Sequence, residues 1–221
     1  MSDRSPTTLT TEPARAEPGR AGPSDGARPD RSPSTVDLYW IPLGAGAHVV
    51  KLSGALFEAI SAVRHRRRRV ALYHSALVIH VPEGCYVIEQ APVPDLDGQR
   101  RGVVAEGPVG VRWAGWFRVA RYEVRRWPGG TIPDLSEAVA SPVRVCADPA
   151  IARGVLDVLP SIPTPVWGRD EFGAGEMWNS NSVVAWALAR GGADVGAIRC
   201  PANGRAPGWN AGLAVAALAS A

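Results

Sequence analysis

Hydrophobic patterning begins abruptly at Val36-Asp37-Leu38-Tyr39-Trp40-Ile41, and residues 37–42 read as a short strand. A Gly-rich turn, Gly44-Ala45-Gly46, follows. From about Ser53, Leu56, Phe57, Ile60 and Val63 recur at helical spacing, which predicts a helix ending in Arg64-His65-Arg66-Arg67-Arg68-Arg69. Next comes a hairpin signal. The runs Val70 to His80 and Cys85 to Glu89 are rich in β-branched and aromatic residues, and Pro82-Glu83-Gly84 between them is turn chemistry. After a loop from Pro92 to Arg101, the pattern predicts strands over 102–106 and 116–125 and helices over 136–140 and 148–158. The last of these opens with Asp148 as N-cap and Pro149 in the first turn.

The most informative stretch is Met177 to Gly192. Four capping-type residues, Asn179-Ser180-Asn181-Ser182, precede an uncharged apolar run that stops at Gly191-Gly192, which marks a short helix with defined ends. Because residues 183–189 are apolar on every side, this helix is expected to be central and buried. Strands early and apolar helices late predict an α+β fold, an antiparallel sheet packed on that buried helix.

Upstream of the first strand the pattern fails. Residues 1–36 contain Pro6, Pro13, Pro18, Pro23, Pro29 and Pro33 but only Met1, Leu9 and Val36 as large apolar side chains, so burial cannot offset the entropy of ordering. We expect a disordered arm over 1–36 and one domain over 37–221, a division that fits a chain of 221 residues. No stretch approaches the roughly 20 apolar residues of a membrane-spanning helix, and the N-terminus lacks the apolar core of a secretory signal. A cytoplasmic location is the expectation. Cys85, Cys146 and Cys200 have neither C-x-x-C spacing nor an even count, which argues against a disulfide framework or a structural zinc site.

Charge alters this picture little. The formal net charge is +3, and removing the five arginines between Arg64 and Arg69 would turn it negative, so the basicity is local. Following a helix-like segment, the run reads as a solvated helix end favoured by the helix dipole. Nucleic acid is the weaker reading, because no aromatic side chains interleave the arginines and no nucleic-acid motif accompanies them.

Candidate chemistry centres on the helix start. Polar side chains there lie beside unpaired N–H groups and the positive end of the dipole, a setting suited to a nucleophile or an oxyanion. A capping cluster is the competing reading. A nucleophilic hydroxyl needs a base, and the choices are His48, His65, His74 and His80. His74 stands out as a polar ring within a strand of Val70, Leu72, Ala76 and Val78. Hairpin register decides its neighbour. A five-residue loop over 80–84 sets His74 opposite Gln90; a four-residue loop over 81–84 makes Glu89 its diagonal same-face neighbour; a Glu83-Gly84 turn sets Val93 opposite.

A strand histidine in Tyr73-His74-Ser75-Ala76-Leu77-Val78, a polar residue on the next strand, and far downstream Asn179-Ser180-Asn181-Ser182-Val183 opening an apolar helix resemble the circularly permuted papain-like superfamily, including lecithin retinol acyltransferase-like and NlpC-like proteins. The resemblance spans about residues 70–190 and implies a permuted papain-like topology with acyl-transfer or amide or ester hydrolysis chemistry. It would make Ser180 the nucleophile, His74 the base, Glu89 or Gln90 the residue orienting the imidazole, and Asn179 a helper at the oxyanion. The departure is that Ser180 stands where the family keeps a cysteine, so a noncatalytic ligand- or protein-binding module is the alternative.

Two loops rich in Trp, Arg and Gly could line a cleft for a small-molecule or peptide substrate. They bring Trp167, Arg169 and Trp178 before the helix and Arg205 and Trp209 after it. Asp170, Glu171 and Glu176 cluster nearby without a histidine pair, so neither a metal nor another cofactor is expected. No feature of the sequence specifies an oligomeric state.

Overall fold

The computed structural model describes residues 33–43, 70–92, 101–132 and 134–218. The Gly44-Ala45-Gly46 turn, the helix expected from Ser53, His48, the Arg64 to Arg69 run with His65, residues 93–100, and the expected arm up to residue 32 lie outside the described residues. Strand β1 runs Thr35–Pro42. It begins ahead of the expected position because Ser34, Thr35 and Val36 are already buried, so the ordered domain takes in the end of the expected arm.

The hairpin pairs β2, Ala71–Val81, with β3, Gly84–Pro92. Val81 faces Gly84 and His80 faces Cys85, leaving Pro82 and Glu83 as the turn. This is the register in which Glu89 lies diagonal to His74 on the same face. β4, Val103–Pro108, and β5, Arg121–Pro128, complete one side, and β6, Val143–Cys146, pairs with β1 on the other. The sheet order is β4-β5-β3-β2-β1-β6, with every neighbouring pair antiparallel. A two-residue strand β7, Gly204–Arg205, joins β2 in parallel at Ala71 and Leu72.

Two expectations need correcting. Residues 116–120 are not strand: short 3-10 turns occupy Arg112–Trp116 and Arg118–Ala120, and β5 starts only at Arg121. Their apolar side chains lack strand alternation, and Trp113, Trp116, Phe117 and Val119 face solvent. The helix expected over 136–140 is a single 3-10 turn, Leu135–Glu137, entered through Asp134 and followed by Ala140, both with positive φ. The patterns also left β6 and a third helix unread.

Helices cover one face of the sheet. α1, Pro149–Val158, has the expected cap: the Asp148 carboxylate accepts from the Ala150 and Ile151 amides. α2, Ser180–Arg190, is buried from Asn181 to Leu188, as an all-apolar run requires, and α3, Trp209–Leu218, packs beside it. On this face Val36, Leu38, Trp40, Leu77, Ile79, Ile88, Tyr122 and Val124 join Trp178, Val183, Trp186 and Leu188 in the main core. The opposite face carries a smaller cluster, Ile41, Ala76, Val87 and Ile132, flanked by Tyr39, Val78, Trp127 and Ala138. The architecture is α+β, a seven-stranded, chiefly antiparallel sheet with a buried helix on one face.

Candidate functional site

The polar start of α2 is fastened at almost every atom. Asn179 Oδ1 accepts from the Asn181 and Ser182 amides, and Ser182 Oγ accepts from the Asn179 amide at 3.1 Å, a reciprocal capping box. Ser182 Oγ also donates to Gly208 O at 2.7 Å, and Asn179 Nδ2 donates to Pro207 O at 2.8 Å. Asn181, 1% exposed, donates through Nδ2 to Tyr73 O and Pro207 O, both at 2.9 Å, and accepts from Ser75 Oγ at 2.8 Å. The Tyr73 carbonyl can receive it because recorded β2–β3 pairing runs only from Leu77–Ile88 to the turn. Further from the turn, β7 and the Asn181 amide occupy this part of β2. These residues form a buried latch between α2, β2 and the Pro207-Gly208 loop.

Ser180 is half-buried at the first helical position, and its hydroxyl makes no hydrogen bond among the described residues. His74 does not approach it. In the β1–β2 register Trp40 faces Ser75 and Ile41 faces His74. Trp40 belongs to the helix-side core and Ile41 to the cluster on the other face, so the sheet lies between His74 and Ser180. Burial lowers the imidazole pKa, and Asp134 partly offsets the shift. Glu89 shares the His74 face, but its carboxylate accepts from Arg125 Nη1 at 3.2 Å, and Arg125 also donates to Glu123 at 2.9 Å. Gln90 lies on the helix face with both terminal atoms buried and lacking hydrogen-bond partners. Thus the structure places Ser180 and Gln90 on one face of the sheet, and His74 and Glu89 on the other. Parity within one hairpin could relate His74 to Glu89; which face α2 covers was not encoded locally.

Beside the latch is a cleft of about 180 Å³, open to solvent and lined by Trp40, Glu176, Ile198, Cys200, Arg205, Ala206, Trp209 and Asn210. Trp209 packs on the buried Trp40 ring, with centroids 5.2 Å apart and planes tilted by 49°. Glu176 is held by the Gly208 amide at 2.8 Å and the Asn210 amide at 3.2 Å, whereas Arg205 approaches it only to 3.8 Å with 40% of its side chain exposed. Arg205 thus stays partly exposed in the cleft lining. Burial pushes the Cys200 thiol up to about 11, so it is protonated near neutrality and is not a thiolate nucleophile.

Of the five expected contact residues, Arg205 and Trp209 line this cleft. Trp178 is in the core at 1% exposure. Trp167 packs edge-on against Tyr122 at 5.8 Å, and its backbone bridges Val109. Arg169 donates through Nε to Gly110 O at 2.8 Å and lines a separate shallow depression with Arg112, Asp170 and Glu171. Trp40, Ile198, Cys200 and Asn210 were missed, because only tertiary folding brings β1 beside the β7–α3 loop. Asp170 accepts from the Ala174 and Gly175 amides and serves its own loop, whereas Glu171 accepts from the Val166 amide and from Arg112. Among the described residues no group of three His, Cys, Asp or Glu side chains converges as a metal site. None of the helices among these residues is long and apolar enough to cross a membrane. Comparison of the chain with protein-family models, curated proteins and solved structures finds no match.

Proposed function

We propose that the chain is a noncatalytic binding module, a descendant of permuted papain-like proteins in which the helix start has become a structural latch. One observation carries this reading: the side chains joining the α2 start to the sheet are Ser75 and Asn181, and His74, the strand histidine expected as the base, lies on the opposite face. Neither a serine hydroxyl nor an amide is a proton acceptor near neutrality. Among the described residues Ser180 therefore has no activating partner, and the protonated Cys200 does not replace it. The Ser180–His74 hydrolase or acyltransferase is the weaker reading, because its two residues would have to meet through the sheet.

The ligand we infer is a small molecule or peptide end carrying a carboxylate on an apolar body. Trp209 offers an apolar ring stacked on the buried Trp40, and Arg205, 40% exposed, offers paired donors matched to a carboxylate. Titration of the purified chain with aryl and acyl carboxylates and with short peptides, followed by calorimetry and tryptophan fluorescence, tests this. Saturable binding that falls at least about tenfold in both Trp209→Ala and Arg205→Ala, at unchanged Tm, supports the module. His74-dependent labelling of Ser180 by a fluorophosphonate probe would overturn it.

A further inference from the structure

The connection between β4 and β5 carries the largest exposed apolar side chains among the described residues. Trp113 is 70% exposed, Trp116 88%, Phe117 60% and Val119 75%. Exposure of several bulky apolar side chains within seven residues marks an interaction surface rather than ordinary surface composition. The segment that bears them is firmly built. Val109 donates to Ala120 O at 2.8 Å, Gly110 to Trp167 O at 3.2 Å, and Arg121 Nε to Gly115 O at 2.5 Å, while the 3-10 turns Arg112–Trp116 and Arg118–Ala120 close the loop. The aromatic rings are thus held outward by their own backbone.

Charge identifies the occupant. From Gly107 to Tyr122 the chain has Arg112, Arg118 and Arg121 and no acidic residue. Arg112 holds Glu171 at 2.8 Å and Arg121 holds Glu106 at 3.0 Å, which leaves Arg118 without an ion-pair partner among the described residues. A symmetric contact of loop on loop between two copies would leave each Arg118 without a counter-charge, because neither loop carries an acidic residue. A nucleic-acid strand would require several uncommitted cations along a groove, and this loop has one. A surface of anionic lipid headgroups needs tryptophans at the boundary between water and hydrocarbon and a cation reaching the phosphates, and this loop offers both. We infer that the 109–120 loop is a peripheral docking element for an anionic bilayer surface, with Trp113, Trp116 and Phe117 entering the headgroup region and Arg118 engaging lipid phosphate. This site is separate from the carboxylate cleft and does not depend on it.

The test is co-sedimentation of the full chain with large unilamellar vesicles of phosphatidylcholine alone or mixed with phosphatidylglycerol, read together with the blue shift of tryptophan emission. The intact chain should bind the anionic vesicles and show the shift. Trp116→Ala should weaken binding roughly tenfold, as expected for one large apolar side chain left in water. Arg118→Glu should remove the preference for anionic over neutral vesicles. These side chains are exposed, so the variants should melt with the wild type. Absence of vesicle binding by the intact chain would overturn the inference, as would binding unchanged in Trp116→Ala/Phe117→Ala but lost when Arg64 to Arg69 are neutralised. A dimer in sedimentation velocity that Trp116→Ala dissolves, or single-stranded DNA binding that it abolishes, would reassign the surface.

Discussion

Replacing Asn181 with alanine isolates the latch. The substitution deletes three hydrogen bonds, from Ser75 Oγ and to the carbonyls of Tyr73 and Pro207. Pro207 O retains Asn179 Nδ2 at 2.8 Å, so the groups that lose their α2 partner are the buried Ser75 hydroxyl and the Tyr73 carbonyl. At about 1–3 kcal/mol for each buried polar group left unpaired, the expected loss is about 2–6 kcal/mol. Taking about 4 kcal/mol and the entropy of a domain this size, Tm should fall by roughly 8–16 °C. Urea melts followed by circular dichroism supply the free energy, and the double variant with Ser75→Ala supplies the coupling. A coupling above about 1 kcal/mol is expected for residues sharing a buried bond. Ser180→Ala, one position away, should change stability by no more than about 0.5 kcal/mol. If Asn181→Ala melts within about 1 kcal/mol of the wild type, the helix start is not a latch and the argument from it collapses.

Two further outcomes follow from single positions. Gly212→Ala, normally worth up to about 1 kcal/mol in a helix, should destabilise instead, because a Cβ there would lie 2.2 Å from Ser182 O and force α3 away from α2; thermal melts compared with an exposed Gly-to-Ala control check the sign. His74 has a folded pKa below its ordinary value of 6.5, chiefly through burial, so the unfolded chain takes up the proton first as pH falls. Its contribution to stability is therefore complete above pH 6.5 and declines as the pH drops below that value toward the folded pKa, and the drop in Tm between pH 7 and pH 5 should be smaller in His74→Gln than in the wild type.

Much of the local architecture was legible because it follows from short-range chemistry. The β2–β3 hairpin follows from two β-prone runs around Pro82-Glu83-Gly84, and the ends of α1 and α2 from Asp148, Asn179 and Gly191, whose roles involve bonds to near neighbours. Residues 116–120 misled because an apolar run resembles a strand unless its side chains are known to face water. The candidate site was legible only in part. Polarity at the helix start was visible, and Trp209 and Arg205 line one cleft, but the catalytic pairing assumed that the strand histidine pointed at the helix.

What the sequence determined alone is the β2–β3 hairpin, the capped start of α1, where α2 begins and ends, and that α2 had to be buried, since each depends on backbone periodicity and capping within a few residues. Tertiary structure alone decided which face of the sheet α2 covers. A strand presents alternate side chains to its two faces, and local sequence does not mark which face receives a helix more than 100 residues away. That choice, one position along β2, sets Ser75 rather than His74 against Asn181, and turns a set of residues suited to catalysis into a hydrogen-bonded latch.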